Sequence, residues 1–336
     1  MTGTFSRRSL LTGLSAATVL LASSCGRRSA RSQRSIRIGT TEGLNLTMTR
    51  LLRQEGFLKA FDVDAEVIAM ADGSKALGGI YGGSLDFVPM SGFGQLFPAA
   101  ERGANMKIIN AATLIPLLAL FSSKPNVQTL KDLEGKVMGV GSVGSLDYLL
   151  TVTLLRKYSV DVSSIRFVDI GSNIDTFKAV MAGTIDAGVG PASYVDDAAW
   201  YKVHALINGD MSMELREFTY QAGWTSQDVI DSRRDALVRV LAAYARLFRF
   251  VERPSAREAF LSASKAVFPT APEREHVDEW NFLQKVKPFS LDLLLSPERV
   301  RYIQQINVDF HIQKAVLPYD RVVDMSLAQE AVRLAT

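Results

Sequence analysis

Residues Gly139-Val140-Gly141-Ser142-Val143-Gly144 spell G-x-G-x-x-G, the spacing that seats a dinucleotide pyrophosphate on backbone N–H groups. Glycine lets a backbone approach a ligand closely, and a helix beginning just after it aims unpaired N–H groups and its positive end at that ligand. A strand-like run precedes the motif, and Asp169 follows Gly144 by 25 residues, near where an acid would meet a ribose. The same turn suits a smaller group. A carboxylate, sulfonate or carbonyl could sit there, with the hydroxyls of Ser142 and Ser145 in reach and no arginine required. Equally, Ser145 as a helix N-cap and glycines as turn residues would account for these letters without any ligand. Cofactor, small solute and plain turn all stay open on the motif alone.

Other chemistry is sparse. His204, His276 and His311 are isolated, there is no H-E-x-x-H, and the chain has a single cysteine, Cys25. Neither a G-x-S-x-G elbow nor a G-K-[ST] phosphate loop occurs, so the chain is not an ATPase. The expectation is a binding protein rather than an enzyme, with neither cofactor nor metal.

The elements that would position the turn come in two copies. The first copy runs as a strand over 36–40, a helix over 46–55, a strand over 65–70, and a helix leading to Gly83-Ser84-Leu85-Asp86 and a strand at 87–89. The second runs as a strand over 136–140, a helix over 146–158, a strand over 165–170, and a helix over 174–181 leading to Gly183-Thr184-Ile185-Asp186 and a strand at 187–189. Gly39 to Asp86 spans 47 positions and Gly141 to Asp186 spans 45. Strands alternating with helices predict mostly parallel α/β sheets, and two copies predict two lobes. Proline and serine near 122–125 and the stretch 218–226 predict two crossings between them. Residues 36–122 with 222–336 then form one lobe, and 123–221 the other. Residues 108–121, broken by Asn110, Thr113 and Pro116, read as two core strands. Apolar residues at helical spacing predict a helix over 232–252, and Pro254, Pro269, Pro272, Pro288 and Pro297 divide the remaining C-terminal extension into shorter helices.

With 336 residues and 47% hydrophobic content the chain can bury two cores of ordinary size. Residues 1–41 hold seven of the 38 basic residues and no acid, which leaves a body of 31 basic against 35 acidic residues. That balance excludes a nucleic-acid partner. The N-terminus reads as an export leader over 1–24. Ser6-Arg7-Arg8-Ser9-Leu10-Leu11 resembles the twin-arginine motif, and the apolar run after it is too short to span a bilayer. The leader ends at LASSC, which resembles a lipobox whose Cys25 becomes the lipidated N-terminus. Ala22 stands where that motif prefers Leu, so cleavage after Ser24 to a soluble product is the alternative. Residues 25–35 then act as a flexible tether reaching roughly 15–20 Å.

The stretches LKDLEGKVMGVGSVGS and AGTIDAGVGP resemble the periplasmic solute-binding proteins of ATP-binding cassette importers, in the branch for nitrate, sulfonates, taurine and pyrimidine precursors of thiamine. The resemblance covers residues 36–250. It implies a monomeric two-lobe clamp that closes on a small-molecule solute and delivers it to a membrane permease. It also implies a site at the strand ends: Thr40, Thr41 and Glu42; Ser91, Gly92 and Phe93; Ser142, Gly144 and Ser145; Asn173; and Pro191, Ala192 and Ser193. Trp224 is either a stacking surface or a core aromatic. Glu42 would repel a sulfonate but could hold an amine-like nitrogen. The remaining alternative is an exported NAD(P)-binding oxidoreductase that uses the glycine turn.

Overall fold

The computed structural model describes residues 35–336 apart from Glu42, Ala71, Asp72 and Val143. The twin-arginine stretch, Cys25 and Glu42 lie outside the described residues.

Both copies of the repeat form. The first gives β1 (Ser35–Thr40), α1 (Leu44–Gln54), β2 (Asp64–Ala69), α2 (Gly73–Tyr81) and β3 (Val88–Ser91). After β4 (Met106–Thr113) and β5 (Leu118–Ser122), the second gives β6 (Val137–Val140), α3 (Leu146–Lys157), β7 (Arg166–Asp169), α4 (Asn173–Met181) and β8 (Ala187–Pro191). Two more strands follow, β9 (His204–Asp210) and β10 (Gln221–Ser226).

The strands make two sheets with one plan. In the first, β1 pairs in parallel with β2, a parallel bridge between Ile38 and Phe87 joins β1 to the chain entering β3, and β10 runs antiparallel between β3 and β4. Its order is therefore β2-β1-β3-β10-β4. The second has the order β7-β6-β8-β5-β9, with β5 antiparallel to β8 and β9. Each sheet thus has four strands in one direction and one reversed strand in the fourth place. The reversed strands follow the two crossings directly. β4 belongs to the first sheet and β5 to the second, so the chain crosses over residues 114–117 rather than near 122–125. It returns between β9 and β10, over 211–220. Pro125 marks the loop after β5, and a loop proline carries no record of which sheet the preceding strand joined.

The C-terminal part is helical, as the periodicity requires. Ser226 caps α5 (Gln227–Val251) by accepting from the Val229 N–H, and the helix bends at Arg233, whose backbone angles are not helical. Then come α6 (Arg257–Val267), α7 (Glu273–Val286), α8 (Pro297–Asp309) and α9 (Ser326–Leu334). Helices α5, α6 and α9 bury one face against β1 and α1 of the first sheet. A second core runs continuously from the first sheet (Val88, Ile108, Trp224) through α3 (Leu149, Leu150) to the second sheet (Leu120, Met138, Val189). The two halves are therefore fused by apolar packing on one side.

Candidate functional site

A cavity of about 520 Å³ lies between the two halves. Its wall is built from the chain at and just past the ends of β1 (Thr41), β3 (Ser91, Gly92), β6 (Gly141, Ser142), β7 (Asp169) and β8 (Pro191, Ser193). Open parallel sheets present their ligand loops at these strand ends, where backbone groups run out of ladder partners. The crossings add Leu117, Leu118, Tyr220 and Gln221, and α7 adds Glu275, His276, Glu279, Phe282 and Leu283.

Eight of the residues singled out in the sequence stand on this wall: Thr41, Ser91, Gly92, Ser142, Ser145, Asn173, Pro191 and Ser193. Five others do not. Thr40 is buried with its hydroxyl 3.3 Å from that of Thr49, and Phe93 packs edge-to-face on Phe97. Ala192 belongs to the apolar cluster around Phe177 and Tyr201. Trp224 is fully buried in the core that joins the halves, so it is a core aromatic and not a surface of the cavity. Gly144 has φ +85, and a Cβ added there would meet nothing within 4 Å. Its glycine answers a backbone need rather than a crowded wall.

The glycine turn itself is locally determined. Ser145 Oγ accepts from the Tyr148 N–H at 3.3 Å and caps α3, and Ser172 caps α4 in the same way. Both helix N-termini reach the wall, but each carries an acid in its first turn, Asp147 and Asp175. Asp147 lines the cavity, and burial pushes its carboxyl up to about 7. Glu279 on α7 is also pushed up to about 7, first by burial and then by the neighbouring charge of Glu275. Burial likewise raises the Tyr220 hydroxyl, with Asp147 adding to the effect. Tyr194 donates to Glu275 Oε2 at 3.2 Å across the gap between the halves.

The residues of α7 are what the sequence reading missed. Glu275, Glu279, Phe282 and Leu283 recur at three- and four-residue spacing, a stripe that is legible in the sequence. Its destination is not, because it meets loops more than 80 residues away. Among the described residues no group of three or more His, Cys, Asp or Glu side chains is placed to hold a metal ion. None of their helices is long and apolar enough to cross a membrane.

The model of the NMT1/THI5 like family matches residues 47–251, more than half of the chain. No curated protein sequence matches it. Among solved structures, the chain is similar to the alkanesulfonate-binding protein of Xanthomonas axonopodis pv. citri bound to MOPS, at TM-score 0.69 and 18% identity, covering 89% of this chain and 97% of that one. It is similar to the periplasmic aliphatic sulphonate-binding protein of Escherichia coli at TM-score 0.68 and 17% identity, covering 86% and 91%. A third is the periplasmic nitrate-binding protein of Synechocystis PCC 6803, at TM-score 0.69 and 11% identity, covering 90% and 89%. At these identities the likeness establishes the fold, that of the periplasmic binding proteins.

Proposed function

Because the chain belongs to the NMT1/THI5-like family, we propose that it is an extracytoplasmic solute-binding protein of an ATP-binding cassette importer. It captures a small organic solute between its halves and hands it to the permease. One observation carries the reading: a single cavity to which both sheets contribute the loops at their strand ends. Such convergence costs backbone hydrogen bonding at each loop and is what a clamp needs in order to feel its ligand from both sides. Each sheet with its helices is taken as a lobe.

The names of the structural relatives favour sulfonate-like or nitrate-like anions, and the family resemblance adds taurine and pyrimidine heterocycles. The dinucleotide alternative draws less support. In the second sheet only β7, β6 and β8 form an unbroken parallel run before the reversed β5, and Asp169 already accepts from the Gly171 N–H at 3.0 Å. The reading also takes residues 1–24 as a twin-arginine leader and Cys25 as a lipid anchor for a monomeric protein.

A thermal-shift screen over sulfonates, nitrate, taurine, carboxylates, pyrimidines and amines tests the function. A true solute at 100 times its dissociation constant should add about 2.7 kcal/mol of stability. Silence across every class would count against solute capture. The anchor has its own readout. Cys25→Ser should move the mature protein from the membrane fraction to the soluble exported fraction.

A further inference from the structure

The charges on the cavity wall are lopsided. Among the described residues, Asp147, Asp169, Glu275 and Glu279 line it against one lysine, Lys178, and no arginine. Three of these five groups are already engaged. Asp169 accepts from the Gly171 N–H, Glu275 from the Tyr194 hydroxyl, and Lys178 lies outward, 3.5 Å from Asp175. Among the described residues, no hydrogen-bond donor and no cation stands beside the carboxyls of Asp147 and Glu279.

Position sharpens the asymmetry. Asp147 sits in the first turn of α3, at the N-terminus that would otherwise attract an anion. An incoming sulfonate would meet a carboxyl there rather than a bare helix end. The groups facing Glu279 are Glu275 and His276 of its own helix and Tyr194 from the opposite half, and Asp147 faces Tyr220. His276 Nδ1 is 2.8 Å from Ser264 Oγ. None of these neighbours brings a fixed positive charge to either carboxyl.

The wall also carries neutral polar groups set up for a ligand. Ser91 is 2% exposed and lines the cavity, and its hydroxyl has no hydrogen-bond partner among the described residues. Gln221 is 8% exposed, and its amide oxygen is 3.4 Å from Thr113 Oγ1 while its amide nitrogen meets no acceptor among the described residues. Both side chains are available to hydrogen-bond whatever occupies the cavity. Apolar surface completes the wall at Leu117, Phe268 and Phe282.

We infer that the solute carries a positively charged nitrogen, an ammonium or amidinium group, favoured by the charge that Asp147 and Glu279 bring to the wall, with its uncharged remainder against the apolar wall. The inference rests on the solute-binding reading above and narrows it to one charge class. It reverses the sign suggested by the relatives' names.

Matched probes test it: benzamidinium and butylammonium against benzenesulfonate and butanesulfonate, followed by thermal shift and calorimetry at pH 5.5 and 8.5. Both cations stay charged over this range, so the wall alone titrates. Cation affinity should rise at least about tenfold from pH 5.5 to 8.5 as the two carboxyls ionise. Glu279→Gln and Asp147→Asn should each weaken cation binding by about tenfold or more at pH 8.5 and flatten its pH dependence. If either variant fails to fold, the pH dependence of the wild-type protein reads the same contact. Binding of the sulfonates alone, tightening as pH falls, overturns the inference and leaves solute capture standing. Cation binding unchanged in both variants also overturns it. No binding by any probe overturns it and removes support from the solute-binding reading as well.

Discussion

Asp86 and Asp186 close the two repeated G-x-x-D stretches, and the structure gives both the same work. Asp86 accepts from the Arg37 backbone N–H at 2.8 Å, and Asp186 from the Val137 N–H at 2.9 Å, so each holds the first strand of its copy of the repeat. Their own carbonyls accept from Thr225 and Ser122, one hydroxyl on each reversed strand. Asp86 adds a charge cluster, with Arg37 Nη2 at 2.7 Å and Arg233 Nε at 3.7 Å. Burial opposes ionisation of Asp86, but the hydrogen bonds from Arg37 and the charge of Arg233 outweigh it and hold the carboxyl below its usual range. The unfolded chain therefore binds this proton more readily than the folded one. The stability it contributes is present above the ordinary aspartate value, near pH 4, and is lost as pH falls through the lower folded value. Asp86→Asn should cost about 2–3 kcal/mol in urea unfolding at pH 7 and clearly less at pH 3. An equal loss at both pH values would show that shape rather than charge is at stake. Asp147 and Glu279 run the opposite way. Their raised values make the folded state bind extra protons, so the solute-free protein loses stability as pH rises from about 4 to about 7.

Elements differ in how far the sequence foretells them, and the reason is what each signal encodes. The strand-helix repeat was legible because its period and its G-x-x-D ends are local, and α3 starts at the Ser145 cap that its sequence advertises. Helix α5 begins at Gln227, earlier than the expected 232, because its apolar spacing is irregular around the bend at Arg233 and its cap is Ser226. Strand β5 was recognisable as a strand but not as a member of the second sheet, since an apolar run records burial and not the neighbour. The same limit hid α7. Trp280 and Leu283 pack with the first half while Phe282 packs with the cluster around Tyr194 in the second. Amphipathic spacing could show that α7 has buried faces, but not that they bridge a cavity. Of the site, the strand-end residues were legible through the repeat and the resemblance. The acids at 147, 275 and 279 acquire their meaning only from the wall they share.

At the scale of the whole molecule the two sides of the cavity are held differently. On one side the halves meet so closely that a Cβ added to Gly92 would lie 2.9 Å from Leu146 Cβ, and one added to Gly94 would lie 2.8 Å from Leu149 Cδ1. That side is continuous core, and in the proposed clamp it would be the pivot. On the other side α7 reaches the second half through the packing of Phe282 on the cluster around Tyr194 and through exposed ion pairs. Arg274 pairs with Asp197 at 2.7 Å and Lys285 with Asp196 at 3.2 Å. These pairs are exposed, so each is worth at most about 1 kcal/mol, far less than separating packed core. Opening should therefore start at α7, with the pairs acting as a weak latch. None of the four latch residues lines the cavity, so any effect on solute must pass through the opening equilibrium. Asp196→Asn combined with Asp197→Asn should raise the fraction of open molecules and weaken apparent solute affinity by no more than about tenfold. The change should appear mainly as faster dissociation. Solution scattering of the solute-free variant should give a larger radius of gyration than the wild type, and saturating solute should bring the two together. A wild-type dissociation rate with an unchanged radius would mean that these ion pairs do not hold the clamp shut, and that any closing motion is governed from the fused side.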